Sequence, residues 1–203
     1  MTLKKPYKKT YKIDALDTLN AQMVKSRPRA LRALATRPVL GAGNINAAIM
    51  FIGEAPGKQE NLQGVPFIGA AGKFLDQMLA SIHLRRDDVY ITNVVKYRPP
   101  NNRDPLPEEV EACWPWLQQE IAIIKPKLII LLGRHALARF IPGQKISEVH
   151  GKYFQYPIDG CGTQIIYALY HPAAALYNGT LRKTLLRDFA RIPAILHTID
   201  ETV

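Results

Sequence analysis

Ala47-Ala48-Ile49-Met50-Phe51-Ile52 runs without a break into Gly53-Glu54-Ala55-Pro56-Gly57, and that junction decides the fold. An unbroken apolar run, with none of the alternation of a half-exposed strand, predicts a strand buried on both faces, as in a parallel sheet. Three other runs share this character: Val89-Tyr90-Ile91-Thr92, Lys127-Leu128-Ile129-Ile130-Leu131-Leu132 and Gln164-Ile165-Ile166-Tyr167-Ala168-Leu169. Helical spacing fills the gaps between them. It covers 73–79, then 108–124 behind Pro107 with acid in its first turn, then 181–195, with Pro193 expected to limit the far end. A leading helix is predicted over 14–25. Strands alternating with helices imply right-handed βαβ crossovers. The expectation is therefore α/β: a single three-layer α/β/α domain over 31–203 around a central four-stranded, mainly parallel sheet. A basic N-terminal arm and the leading helix occupy 1–30.

At 203 residues and 47% hydrophobic content, the chain can build one packed core. No apolar run approaches the roughly 20 residues of a bilayer span. The first dozen residues are lysine-rich and give no secretory signal, and two cysteines, Cys113 and Cys161, make no disulfide framework. Charge is unevenly spread. Residues 1–46 hold ten Lys or Arg against Asp14 and Asp17, and so carry +8 of the net +10. A basic arm on a nearly neutral body points to a polyanion through counterion release, the plain alternative being a solubilising tail.

Ligands of an open parallel sheet sit beyond the carboxyl ends of its strands. Three of the four predicted strands end in unusual sequence: Gly53-Glu54-Ala55-Pro56-Gly57, Asn93-Val94-Val95-Lys96-Tyr97-Arg98-Pro99-Pro100 and His171-Pro172-Ala173-Ala174. The first continues through Glu60 and Asn61 to Gly64-Val65-Pro66-Phe67-Ile68-Gly69. In order and spacing the three segments resemble the motifs of the family 4 uracil-DNA glycosylases over roughly 31–191. The resemblance implies a monofunctional hydrolase that cleaves the N-glycosidic bond of uracil in DNA, leaves an abasic site and serves base excision repair. The alternatives are a same-fold glycosylase for hypoxanthine or xanthine, and a non-catalytic DNA-binding relative. The partner implied is uracil-containing DNA, single- or double-stranded, with no membrane. The expected state is a monomer in the cytoplasm, on the nucleoid.

Base removal requires an everted base in a closed pocket. Phe67 can supply a stacking face, or it is a core phenylalanine. Asn93 can accept from uracil N3–H and donate to O4, or it closes a strand into a turn; by resemblance it is the residue that reads uracil. His171 can donate to O2 as charge develops there, or it is a structural histidine. His83, His135, His150 and His197 have no such framing and are taken as structural. Glu54 and Glu60 are the carboxylates for an oxocarbenium-like sugar or its attacking water. The resemblance places Glu60 against the C5 side of uracil and leaves Glu54 as the water or sugar partner. Backbone amides around Ala55 and Gly57 can grip base or phosphate. Leu176 or Tyr177 would tip a wedge filling the vacated stack, and Lys96, Arg98, Arg103 and Arg182 are candidate phosphate contacts.

The chain departs from the family in its cofactor. The family pattern has four cysteines holding a four-iron four-sulfur cluster, and here Ser26, Arg29 and Tyr97 stand at three of those places, with Cys113 alone retained. No cluster and no metal are expected. Asn61 replaces a usual Asp, whose loss near the water site would slow hydrolysis or shift the task to Glu60. Ala70 stands where Arg or Lys is common.

Overall fold

The computed structural model describes residues 7–26 and 35–202. Arg29 and residues 1–6 of the basic arm lie outside the described residues, as does the side chain of Ser26.

The four predicted strands form as β2 (Ile49–Gly53), β3 (Tyr90–Asn93), β4 (Leu128–Leu132) and β6 (Gly162–Leu169), parallel to one another in the order β3-β2-β4-β6. The sheet has six strands, however, rather than four. β1 (Ala42–Gly43) runs antiparallel on β3 at one edge, and β5 (Tyr153–Ile158) antiparallel on β6 at the other. These additions protect edges that would otherwise present unpaired backbone. Every residue of β2 and β4 is buried.

Alternate side chains along the strands feed two cores. Met50, Ile52, Ile129, Leu131 and Ile166 face α4 (Pro107–Ile124) and α5 (Arg134–Phe140) through Leu117, Ile121, Leu137 and Phe140. Phe51, Ile91, Ile130, Tyr167 and Leu169 face α3 (Ala70–Ser81), α8 (Gly179–Phe189) and α9 (Ile192–Thr202) through Leu75, Met78, Phe189 and Ile192. The three-layer α/β/α architecture follows from this alternation, with the short helices α2 (Lys58–Gln63) and α6 (Ile146–Val149) in the intervening connections.

Two helix expectations change. The single closing helix is two, α8 and α9, and Pro193 lies in the first turn of α9 rather than at its far end. Proline has no N–H to offer the carbonyl four residues back, which belongs to Phe189, so the helix breaks there and restarts with Pro193 near its beginning. The leading helix α1 (Tyr7–Ser26) begins seven residues earlier than expected and packs on α4. Lys12, counted in the basic arm, donates from Nζ to the carbonyls of Ile45 (3.1 Å) and Ile124 (2.8 Å) and so satisfies the C-terminal end of α4.

The order in which strands are added switches sides about β2: β3 lies on one side of it and β4 on the other. Such a switch point opens a crevice at the carboxyl end of the sheet. The register there pairs Gly53 with Asn93, which brings the first two motifs side by side.

Candidate functional site

The crevice is a cleft of about 360 Å³ lined by Glu54, Ala55, Gly57, Glu60, Phe67, Asn93, Arg103 and His171, with Gly69 and Ala70 at the start of α3. Every residue proposed to hold the base or to act on it thus faces one space.

Gly53 makes the close approach possible. A Cβ there would lie 2.4 Å from Asn93 Oδ1 and 2.5 Å from Phe67 Cζ, so the amide and the ring edge meet over a residue with no side chain. Asn93 is 2% exposed, and its Oδ1 is buried with no hydrogen-bond partner among the described residues. A buried acceptor left unpaired costs about 1–3 kcal/mol, and native structures keep few of them. A ligand N–H entering the cleft would recover that cost.

The Phe67 platform is held from behind. Its φ is 54°, a left-handed conformation that a bulky residue adopts only under outside constraint. Three groups supply the constraint. Arg86 donates to the carbonyls of Pro66 (3.0 Å) and Phe67, and from Nε to Asp76 (2.6 Å). Glu60 Oε1 accepts from the amides of Ile68 (2.9 Å) and Gly69 (2.8 Å). Gly72 leaves room for the Phe67 carbonyl, which a Cβ there would meet at 1.7 Å. The Phe67 ring lies 5.6 Å from that of His171, tilted by 32°. Arg86 was not among the sequence candidates. Its contacts lie ten to twenty residues away in sequence, and no local pattern marks it.

His171 ends the β6 segment and caps α7 (Pro172–Leu176). Its Nδ1 accepts from the Ala173 amide (3.1 Å), which leaves Nε2 to carry the proton. Burial, reinforced by the nearby His135, pushes its pKa down to about 4, with Glu60 opposing. It is therefore a neutral donor at physiological pH. Gly133 at φ 90° makes room for it, since a Cβ there would come within 2.8 Å of His171 Cβ.

The two carboxylates differ. Glu60 is committed to the loop amides. Glu54 takes none among the described residues, and its pKa is raised to about 7 by burial and then by the charge of Asp104, with Arg134 opposing. His135, set aside as structural, lies 3.7 Å from Glu54 Oε2 and 3.3 Å from Asp104 Oδ2. Its available signal was position: Gly133-Arg134-His135 follows β4, the fourth strand to end at this edge. Glu54, Asp104 and His135 each bring a donor atom within 4.8 Å of the others. The cation among them is the Arg134 guanidinium, which donates to Asp104 Oδ2 and to His135 Nε2, both at 2.9 Å.

The proposed DNA contacts fare unevenly. Lys96 is a correction: it is 2% exposed and donates to Thr92 Oγ1 and Glu120 Oε2 at 2.5 Å, while Tyr90 donates to Glu120 Oε1 at 2.8 Å. It cannot reach a phosphate. Arg103 lines the cleft, but Glu109 grips its guanidinium at 2.6 and 2.8 Å. Arg98 donates to Asn102 Oδ1 (2.7 Å), and Arg182 lies 4.0 Å over the Phe74 ring. Of the two wedge candidates, Leu176 is half-buried on the core while Tyr177 is 94% exposed. Asn61 is also corrected. Rather than lying at a water site, it clamps Thr36, accepting from its amide (2.9 Å) and donating to its hydroxyl (3.0 Å).

The cluster positions do not fit an iron–sulfur cofactor. The chain has two cysteines in all, and a cubane of this kind needs four thiolates. Tyr97 is buried at one ligand position, and burial pushes the Cys113 thiol pKa up, away from the thiolate form. Cys161 donates instead to the Gln118 carbonyl at 3.4 Å. Among the described residues no helix is long and apolar enough to cross a membrane.

Residues 40–191 match the family model described as the uracil DNA glycosylase superfamily. The chain is 48% identical over 186 residues to a type-4 uracil-DNA glycosylase of Archaeoglobus fulgidus, covering 89% of this chain and 92% of that protein. It is 38% identical over 187 residues to the type-4 enzyme of Thermotoga maritima, covering 90% and 95%. A type-5 uracil-DNA glycosylase of Pyrobaculum aerophilum is 33% identical over 174 residues, covering 76% of this chain and 74% of that protein.

Proposed function

The chain belongs to the uracil-DNA glycosylase superfamily, and from that premise we propose how its cleft removes uracil from DNA. It is a hydrolase of N-glycosyl bonds in base excision repair. The observation that carries the residue assignment is the buried, unpartnered Asn93 Oδ1 beside the Phe67 ring.

The everted uracil stacks on Phe67, gives its N3–H to Asn93 Oδ1 and takes the Asn93 amide N–H at O4. Cytosine offers neither complement, having an acceptor at N3 and donors at its exocyclic amine. The C1′–N1 bond breaks with its electron pair going to the base, and charge gathers on O2 opposite the neutral His171 N–H. A preorganised donor there is worth roughly 3–4 kcal/mol. Water bonds to C1′ and gives its proton to ionised Glu54, whose pKa of about 7 suits a base at neutral pH. Glu60 keeps the Phe67 loop in place and walls the cleft. Tyr177 enters the vacated stack. The enzyme is monofunctional: no lysine lines the cleft among the described residues, so no Schiff base is built into it. The reaction proceeds without an iron–sulfur cluster, and the protein acts as a monomer.

Release of free uracil from a labelled dU-containing oligonucleotide tests this, with hypoxanthine and xanthine substrates in parallel and iron assayed in the same preparation. Uracil release without stoichiometric iron is the expected result. Untouched dU strands, or faster release of a purine, would overturn the assignment.

A further inference from the structure

Behind Glu54, away from the base, the end of β4 and the loop before α4 bring together charged groups that line no part of the cleft. Asp104, in that loop, places a carboxylate oxygen within 4.8 Å of Glu54. Arg134, at the first position of α5, bonds Asp104 Oδ2 and His135 Nε2. His135 Nε2 lies 3.3 Å from Asp104 Oδ2 and 3.7 Å from Glu54 Oε2, and burial lowers the pKa of the imidazole, with Asp104 opposing. The group therefore presents Glu54 with one opposing and one favouring charge, with the His135 imidazole beside them.

We propose that Asp104 and Arg134 are positioning residues for base removal, a charge pair that sets the protonation state of Glu54 from outside the cleft. This rests on Glu54 acting as the base, as argued above. Asp104 holds the proton on Glu54, and Arg134 favours its loss, both by direct Coulomb interaction. The other charged or titratable groups facing Glu54 are Glu60, Arg103 and His171 across the cleft, and Glu111 and Arg139 on its far side. Glu111 pairs with Arg139 at 2.9 Å, Arg103 with Glu109, and Glu60 is bound by the Ile68 and Gly69 amides, while His171 stays neutral. The charges that act on Glu54 are those of Asp104 and Arg134, opposite in sign, so that removing either one leaves the other unbalanced. The Asp104–Arg134 pair is left as the tunable element. Its members are 59% and 70% exposed, so each contributes through partly screened solvent, and shifts on the order of half a pH unit follow.

The test is the pH profile of the single-turnover rate on saturated dU substrate. Glu54 works ionised, so the rate falls as pH drops through its pKa. Asp104→Asn removes a charge that holds the proton and should move this acid limb to lower pH. Arg134→Gln should move it to higher pH. Asp104→Glu should restore the limb near its wild-type position, and Glu54→Gln should abolish it. A merely structural role for the pair would not displace the limb in opposite directions. If both variants leave the limb in place, or move it the same way, while Glu54→Gln removes it, the inference is wrong and the role of Glu54 survives. If the limb persists in Glu54→Gln, Glu54 is not the base and the reading beneath the inference falls as well.

Discussion

Asn93 and Lys96 lie three residues apart at the end of one strand, each 2% exposed, yet they belong to opposite kinds of chemistry. Lys96 is engaged within the protein: its ammonium meets Thr92 and Glu120, and Glu120 in turn takes Tyr90. Asn93, which lines the cleft, is not, since among the described residues its Oδ1 has nothing to accept from. Burial alone therefore says little about function. What separates these two groups is whether the protein has already satisfied them.

The sharpest way to break this comparison is on the Lys96 side. Lys96→Met leaves Glu120 as an uncompensated buried charge and should destabilise the fold by about 3–5 kcal/mol in denaturant titration. Uracil release per folded molecule should stay within a few-fold. Adding Glu120→Leu should recover most of the stability, because burying the whole pair gains little over apolar packing. A specific loss of release by folded Lys96→Met would erase the distinction.

His171 belongs with Asn93. His171→Ala should lower the single-turnover rate about 10²–10³-fold, equivalent to the roughly 3–4 kcal/mol of a lost preorganised donor, with DNA affinity within a few-fold of wild type. A pKa of about 4 means that His171 itself adds no titration to the wild-type rate at neutral pH.

The smallest expected effect is a gain. Folding raises the Glu54 pKa from 4.5 to about 7, so the folded state resists its ionisation. Any stability Glu54 contributes exists only below pH 4.5 and is lost as pH rises toward 7; above that, the ionised group is a net cost. Glu54→Gln should therefore be more stable than wild type at pH 8, by about 1–2 kcal/mol after allowing for partial solvent screening. The advantage should vanish as pH falls to 4.5. Equal stability at pH 8 would mean that the cleft imposes no strain on its carboxylate.

These contrasts also mark what the sequence could and could not reveal. The central strands were legible because each is an unbroken apolar run, and their ends because Gly, Pro and polar residues follow at once. The edge strands were not. β1 is two residues long, and β5 alternates in exposure and carries Pro157, which edge strands tolerate and central ones do not. Lys96 was misread since it stands beside Arg98 in a basic stretch, while Glu120 is 24 residues away. Asp104 and His135 were missed for a similar reason. Their meeting with Glu54 joins three separate segments, and no local spacing encodes it.

The central claim is that the orphaned acceptor at Asn93 exists to be satisfied by uracil, and one paired measurement tests it directly: single-turnover uracil release and DNA affinity for wild type and Asn93→Ala. The account predicts that release falls by tenfold to a hundredfold or more, as expected when a buried polar contact to the substrate is lost, while affinity for DNA lacking uracil is unchanged. Wild-type release by the alanine variant would contradict it.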